Sequence, residues 1–138
     1  MAPSDLSQRS SEGGRGRRLA EGGGWRSEKT AKQFPFYKEC LPGQLLQVRL
    51  HNWMAYEGPV EVNFRPGVNL IAAGNGVGKS SLLCAMAFGL GYDVSHITQR
   101  GRKLRDFIKA GQTACSVSCI LVGRETGDFI HTTRQLRL

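Results

Sequence analysis

The chain has 138 residues, 40% of them hydrophobic, and a formal net charge of +8, enough for one domain with a core of its own. No stretch reaches the roughly 18 consecutive apolar residues of a spanning helix, and the N-terminus lacks the apolar core of a secretory signal. Membrane and secreted classes are set aside, and a soluble, intracellular protein is expected.

The apolar residues are unevenly spread. Residues 1–33 have almost none and include SQRSSEGGRGRRLAEGGGWRSEKTAK, a composition that cannot bury enough surface to offset chain entropy. Residues 1–40 are therefore read as a disordered Gly/Arg-rich tail and 41–138 as the folded part. Within the tail, GGRGRR is either a plain flexible leader or a nuclear-targeting or RNA-contacting element.

Pro42-Gly43 marks a turn, after which QLLQVRLHNW alternates Leu46, Val48 and Leu50 against Gln47, Arg49 and His51, as a strand does. Gly58-Pro59 breaks the chain, and VEVNF alternates again through Val60, Val62 and Phe64. Beyond the turn Arg65-Pro66-Gly67, VNLIAA has the composition of a short strand buried on both faces. From residue 79 to 90 the period changes: KSSLLCAMAFGL is apolar nearly all round, which predicts a buried helix, with Gly89 and Gly91 as stops. LRDFIKAG predicts one short helix ending at Gly111, and ACSVSCILV and DFIHTTRQL predict two further strands joined by a polar turn.

Four cysteines, Cys40, Cys84, Cys115 and Cys119, form no C-x-x-C pair and no disulfide-like density. Cys115 and Cys119 are expected on one strand face as buried thiols rather than as half of a zinc site. His51, His96 and His131 are scattered and have no metal spacing.

Charge is local. Residues 99–109, QRGRKLRDFIK, hold five bases and one acid. Such a run is either a solvated face or a contact surface for the phosphates of DNA or nucleotide.

The segment LIAAGNGVGKSSLLCA joins the expected apolar strand to the expected helix. Glycines let backbone N–H groups approach a phosphate chain closely, and the helix behind them presents its positive end to the anion. Lys79 would reach the terminal phosphates, and the Ser80 hydroxyl would ligate Mg²⁺. The strict pattern G-x-x-x-x-G-K-[ST] requires glycine at residue 73, where this chain has Ala73. Alanine is the smallest possible departure, and Gly74 is expected to supply the lost flexibility. About 30 residues of strand-like sequence precede the loop, which points to an ATP-binding-cassette type of α/β head, with an antiparallel sheet laid down before the core sheet.

The run GQLLQVRLHNWMAYEGPVEVNFRPGVNLIAAGNGVGKSSLLCAMAFGLG resembles the N-terminal half of the head domain of structural maintenance of chromosomes (SMC) ATPases, and the resemblance continues through RGRKLRDFIKAGQTACSVSCIL. The spacing R-G-x-x-L-x-x-F-I-K-x-G-Q is more like the sixth eukaryotic member, whereas K-S-S-L-L-C-A and I-x-T-T-R are more like the fifth. The resemblance implies an ATP loop formed by Ala73, Gly74, Asn75, Gly76, Val77, Gly78, Lys79 and Ser80, with Ser81 continuing the helix, and ATP and Mg²⁺ as cofactors. It implies DNA or phosphate contacts at Arg100, Arg102, Lys103, Arg105 and Lys109. It implies a second SMC head as heterodimer partner, DNA as target, a role in DNA repair and recombination, and a place in the nucleus on chromosomes. The likeness stops before the glutamine loop, coiled-coil arms, hinge, signature motif and water-polarising acidic motif. A fragment is therefore expected, with no catalytic residue of its own and hydrolysis only within a complete dimerised head.

Two other readings stand beside this one. A non-enzymatic basic nucleic-acid-binding module with a degenerate loop would use the Arg/Gly tail and residues 99–109. A small P-loop kinase is disfavoured by the absence of a substrate-side acidic or lid segment. Trp53 and Tyr56 are read as packing residues near the loop, with contact to the base as the alternative.

Overall fold

The alternation in residues 44–53 builds the centre of the sheet. In the computed structural model, which describes residues 25–26, 28–93, 96 and 103–138, β2 (Leu45–His51) lies between β3 (Pro59–Asn63) and β4 (Ala114–Val122). β4 pairs on its other side with β5 (Asp128–Arg137), and the two-residue β1 (Trp25–Arg26) extends the far edge. Every pairing is antiparallel. The strands expected at 44–53, 60–64, 114–122 and 128–136 are all present, to within two residues.

Period-2 alternation gives this sheet two different faces. Val48 and Leu50 of β2 join Cys115, Val117 and Cys119 of β4 beneath α2 (Lys79–Gly89), which contributes Leu82, Cys84, Ala85 and Phe88. Cys115 and Cys119 thus share a face, as expected, and burial raises both thiols above the ordinary cysteine range. Helix and sheet touch most closely at Gly89, where a Cβ would lie 2.6 Å from Cys119 Sγ and 2.9 Å from Val117 Cγ1. The expectation of a helix buried all round is corrected, since Leu83 is 56% exposed. One packed layer covers one stripe of a helix, and Leu83 faces away from it.

Side chains of β5 hold the far end of α2. Thr132 Oγ1 donates to Gly89 O at 2.8 Å, and Arg134 Nη1 donates to Phe88 O at 2.9 Å. The Arg134 guanidinium also stands 4.2 Å from the Phe88 ring centroid, within range of a cation–π attraction. Gly89 O thereby gains a partner that a helix end does not itself supply, and Phe88 O, which also accepts from Gly91 N–H at 3.0 Å, gains a further one.

On the second face, a register shift between Leu45 and Gln47 turns Leu46 away from Val48. Leu46 then packs with Ile120, Val122 and Phe129 against Phe34. Phe34 follows α1 (Glu28–Gln33) and precedes a 3-10 turn at Pro35–Glu39, and both Thr30 and Phe34 are buried. The tail expected over residues 1–40 is corrected for 25–26, which pair with β5, and for 28–40. That segment is anchored by buried Phe34, with Ala31, Phe36, Tyr37 and Cys40 packed around the same apolar patch of the sheet. Residues 1–24 and 27 lie outside the described residues.

Two other expectations are corrected. VNLIAA is not a strand: residues 68–74 carry no regular structure, and Val68 is 98% and Leu70 87% exposed. Ladder bonds require a neighbouring strand, and among the described residues none pairs with this segment. Its turn is held instead by Asn69, whose Oδ1 accepts from Arg65 N–H and whose Nδ2 donates to Arg65 O, both at 2.8 Å. LRDFIKAG forms a 3-10 turn at Leu104–Phe107 rather than an α-helix, because Ile108 leaves it to bridge Trp53. No helix among the described residues is long and apolar enough to cross a membrane.

Gly89→Ala forces a methyl into Cys119 and Val117. It is expected to cost about 1–3 kcal/mol of stability, read from the denaturant midpoint, and Cys119→Ala in the same chain should recover part of that loss.

Candidate functional site

The glycine loop wraps the start of α2 as its composition requires. Gly76 and Gly78 take φ of +83° and +109°, a region that L side chains rarely enter. Gly78 is the N-cap of α2 and has no side-chain cap, and the helix begins with Leu82 N–H donating to Gly78 O at 2.9 Å. The earlier N–H groups of the first turn have no intrahelical acceptor and carry the positive end of the helix dipole.

Lys79 is the first residue of α2, and its ammonium donates to Ala73 O and Gly74 O at 2.5 and 2.6 Å. The loop thus curls around its own cation. Ala73 is exposed and has no positive φ, so its methyl neither crowds the loop nor strains it. Gly74 also lies outside the positive-φ set. The glycines on which the conformation depends are therefore 76 and 78, not 74.

Ala55, Asn75, Gly76, Gly78, Lys79, Ser80 and Ser81 line a shallow depression of about 250 Å³. Pockets for whole small molecules are commonly about 300–1,000 Å³, so the depression suits a phosphate chain better than an entire nucleotide. Its donor set fits an anion: an uncapped helix end, a cation and a hydroxyl, with no carboxylate in the lining. Ser80 lies at the second position of the helix, exposed at the rim. One hydroxyl suits Mg²⁺, which is usually held by one or two protein oxygens plus phosphates and water. Among the described residues, no group of three or more His, Cys, Asp or Glu could hold a metal ion without such a ligand.

The segment after β2 closes the site from one side. Trp53, fully buried, donates from Nε1 to Ser81 O at 3.0 Å, and its ring stacks on Phe107 with centroids 5.2 Å apart. Tyr56 Oη donates to Gly78 O at 3.0 Å. Sequence reasoning placed these aromatics near the loop but missed both bonds. The available signal was Asn52, a residue type that tolerates left-handed backbone. Asn52 and Met54 have φ of +51° and +49°, and Asn52 Oδ1 accepts from Gly58 N–H at 3.0 Å.

The basic segment divides. Arg100 and Arg102 lie outside the described residues. Lys103 is exposed, with its N–H donating to Asp106 Oδ2 at 2.9 Å. Arg105 is exposed beside Asp106 at 3.9 Å. Lys109 is half-buried, its N–H bonded to Asn52 O at 2.8 Å and its ammonium 3.5 Å from Ala55 O.

With loop, helix and sheet in place, comparison with known proteins is decisive. Residues 47–137 match the family described as AAA domain. The chain belongs to that family. It is 30% identical over 113 residues to structural maintenance of chromosomes protein 5 of Schizosaccharomyces pombe, an alignment covering 82% of this chain and 10% of that protein. To structural maintenance of chromosomes protein 6 of Saccharomyces cerevisiae it is 38% identical over 96 residues, covering 67% of this chain and 8% of that protein. The chain thus spans a tenth or less of the length of these relatives. A solved structure described with ATP-driven dimerization and DNA-stimulated activation of SMC ATPases matches at TM-score 0.59 and 23% identity, over 67% of this chain and 63% of that one. The fold is that of a P-loop ATPase head lobe of the ABC type, and the resemblance to SMC heads of the fifth and sixth kinds is borne out.

Trp53→Phe keeps a ring in the core and removes the donor to Ser81 O. It is expected to cost about 1–3 kcal/mol through loss of this second bond to a helix carbonyl and reduced packing, measured by equilibrium urea unfolding.

Proposed function

We propose that residues 73–81 bind the triphosphate of ATP, and that the chain is the nucleotide-binding lobe of an SMC-type chromosome-maintenance ATPase. The observation that carries this reading is Lys79 at the first position of α2, beneath a cradle bent at Gly76 and Gly78 around an uncapped helix end. Backbone N–H groups of residues 74–80 would face the phosphate oxygens, with Ala73 and Gly74 at the mouth and Asn75 and Val77 completing the bend. The Lys79 ammonium would exchange its two loop carbonyls for the terminal phosphates, a stronger charge-assisted pairing. Ser80 Oγ would hold Mg²⁺, whose contribution when bound is to neutralise phosphate charge, while Ser81 continues the helix.

The lining of the depression holds no carboxylate, so the proposal for these residues is binding; hydrolysis belongs to a completed pair of heads. By its likeness to the relatives named above, the chain would act in the nucleus on chromosomes, with a second SMC head and DNA as partners, in repair and recombination. Lys103 and Arg105 are exposed cations suited to DNA phosphates, joined in this proposal by Arg100, Arg102 and Lys109.

Lys79→Ala is expected to weaken ATP binding about 10- to 100-fold, the loss of a bond to a charged group, in a titration with a fluorescent ATP analogue. Unchanged affinity would rule out this assignment of the loop. Replacing both Lys103 and Arg105 with Gln should weaken DNA binding and flatten the salt dependence by about two units of slope. DNA binding that ignores ATP and survives Lys79→Ala would instead support the non-enzymatic nucleic-acid module.

A further inference from the structure

One side chain of the segment between β2 and β3 meets Gly78 twice. Tyr56 Oη donates to the Gly78 carbonyl, and a Cβ at Gly78 would come within 3.2 Å of the Tyr56 ring. The same carbonyl accepts Leu82 N–H and starts α2. Because a trans peptide is planar, its C=O and the next N–H point in opposite directions. Pinning Gly78 O toward Tyr56 and Leu82 therefore aims Lys79 N–H out of the helix end, toward the depression. Tyr56 does not line that depression, although its neighbour Ala55 does.

The donor is itself held in place. Tyr56 N–H bonds to Trp53 O at 2.8 Å, and Trp53 is locked to Ser81 O. Behind it, Met54 N–H donates to Phe107 O at 2.9 Å, and Asn52 O accepts from Lys109 N–H. Positive φ at Met54 stores backbone strain, which persists where the surroundings over-determine it. Burial raises the Tyr56 phenol above its ordinary range, so it remains a protonated donor at neutral pH.

We propose that Tyr56 is a positioning residue for phosphate recognition: through the Gly78 carbonyl, its hydroxyl orients Lys79 N–H and the helix end toward the terminal phosphates of a nucleoside triphosphate. This rests on the nucleotide-binding reading of the loop and adds a residue outside it. Tyr56 recognises the triphosphate through backbone alone, so it acts equally on any nucleobase and on none.

The test uses Tyr56→Phe in the 138-residue chain, titrated calorimetrically with MgATP and separately with magnesium tripolyphosphate, at a temperature where both proteins are fully folded. Both dissociation constants are expected to rise about three- to tenfold, in line with the loss of one hydrogen bond, and the Lys79 amide resonance should move in the 15N spectrum. Unchanged affinities overturn the proposal, even if the melting temperature falls, because that pattern marks a merely structural bond. Weaker ATP binding with unchanged tripolyphosphate binding also overturns it, by placing Tyr56 on the base or ribose. Lys79→Ala, run in parallel, separates the two levels. If that variant binds ATP normally, the loop assignment fails; if it loses ATP while Tyr56→Phe does not, only the role of Tyr56 fails.

Discussion

One carbonyl oxygen, that of Gly78, carries the constraint on which the site depends. It accepts the first intrahelical bond of α2 from Leu82 and a second bond from Tyr56. The backbone reaches that oxygen's position through φ of +109°, open to glycine and strained for other residues. With Gly78 so placed, the first-turn N–H groups that remain have neither an intrahelical acceptor nor a side-chain cap. A helix end left in that state is suited to an anion.

The rest of the fold keeps that helix end where it is. β2 and β4 supply the surface on which α2 lies, and Gly89 lets the two approach until a single methyl would not fit. Thr132 and Arg134 hold the C-terminal carbonyls, so α2 is bound to the sheet at one end and to the Trp53–Tyr56 segment at the other. That segment also carries the contacts to Phe107 and Lys109. The glycine loop and the end of the basic segment thus both bond to the one turn between β2 and β3.

Much of this was legible in the sequence. ACSVSCILV forms β4 with the expected bounds, its first half alternating over the face under α2 and its last three residues apolar where both faces are covered. The helix after the loop starts at Lys79 as its period indicates, and G-N-G-V-G-K-S places cation, hydroxyl and helix end in a few consecutive residues. VNLIAA was misread for a physical reason: an apolar run shows that burial would be favourable but does not supply the strand to pair with. Leu83 is the same case on α2. Phe34 is the converse, since the short run of Phe34, Phe36 and Tyr37 in a polar segment gave little sign that a bulge at Leu46 would open a patch for it.

Local chemistry, then, was determined by the sequence alone: where the loop lies, and that a cation and a hydroxyl stand beside a glycine-rich turn at the start of a helix. Such information survives in one dimension because the groups concerned are neighbours along the chain. Tertiary structure alone decided which glycines bend the loop, that Trp53 and Tyr56 bond to it from 22 to 28 residues away, and that Thr132 and Arg134 close the far end of the helix. Those contacts join residues whose separation in sequence carries no periodic signal. They depend on the register of β2, β4 and β5, which is set by packing across the whole sheet.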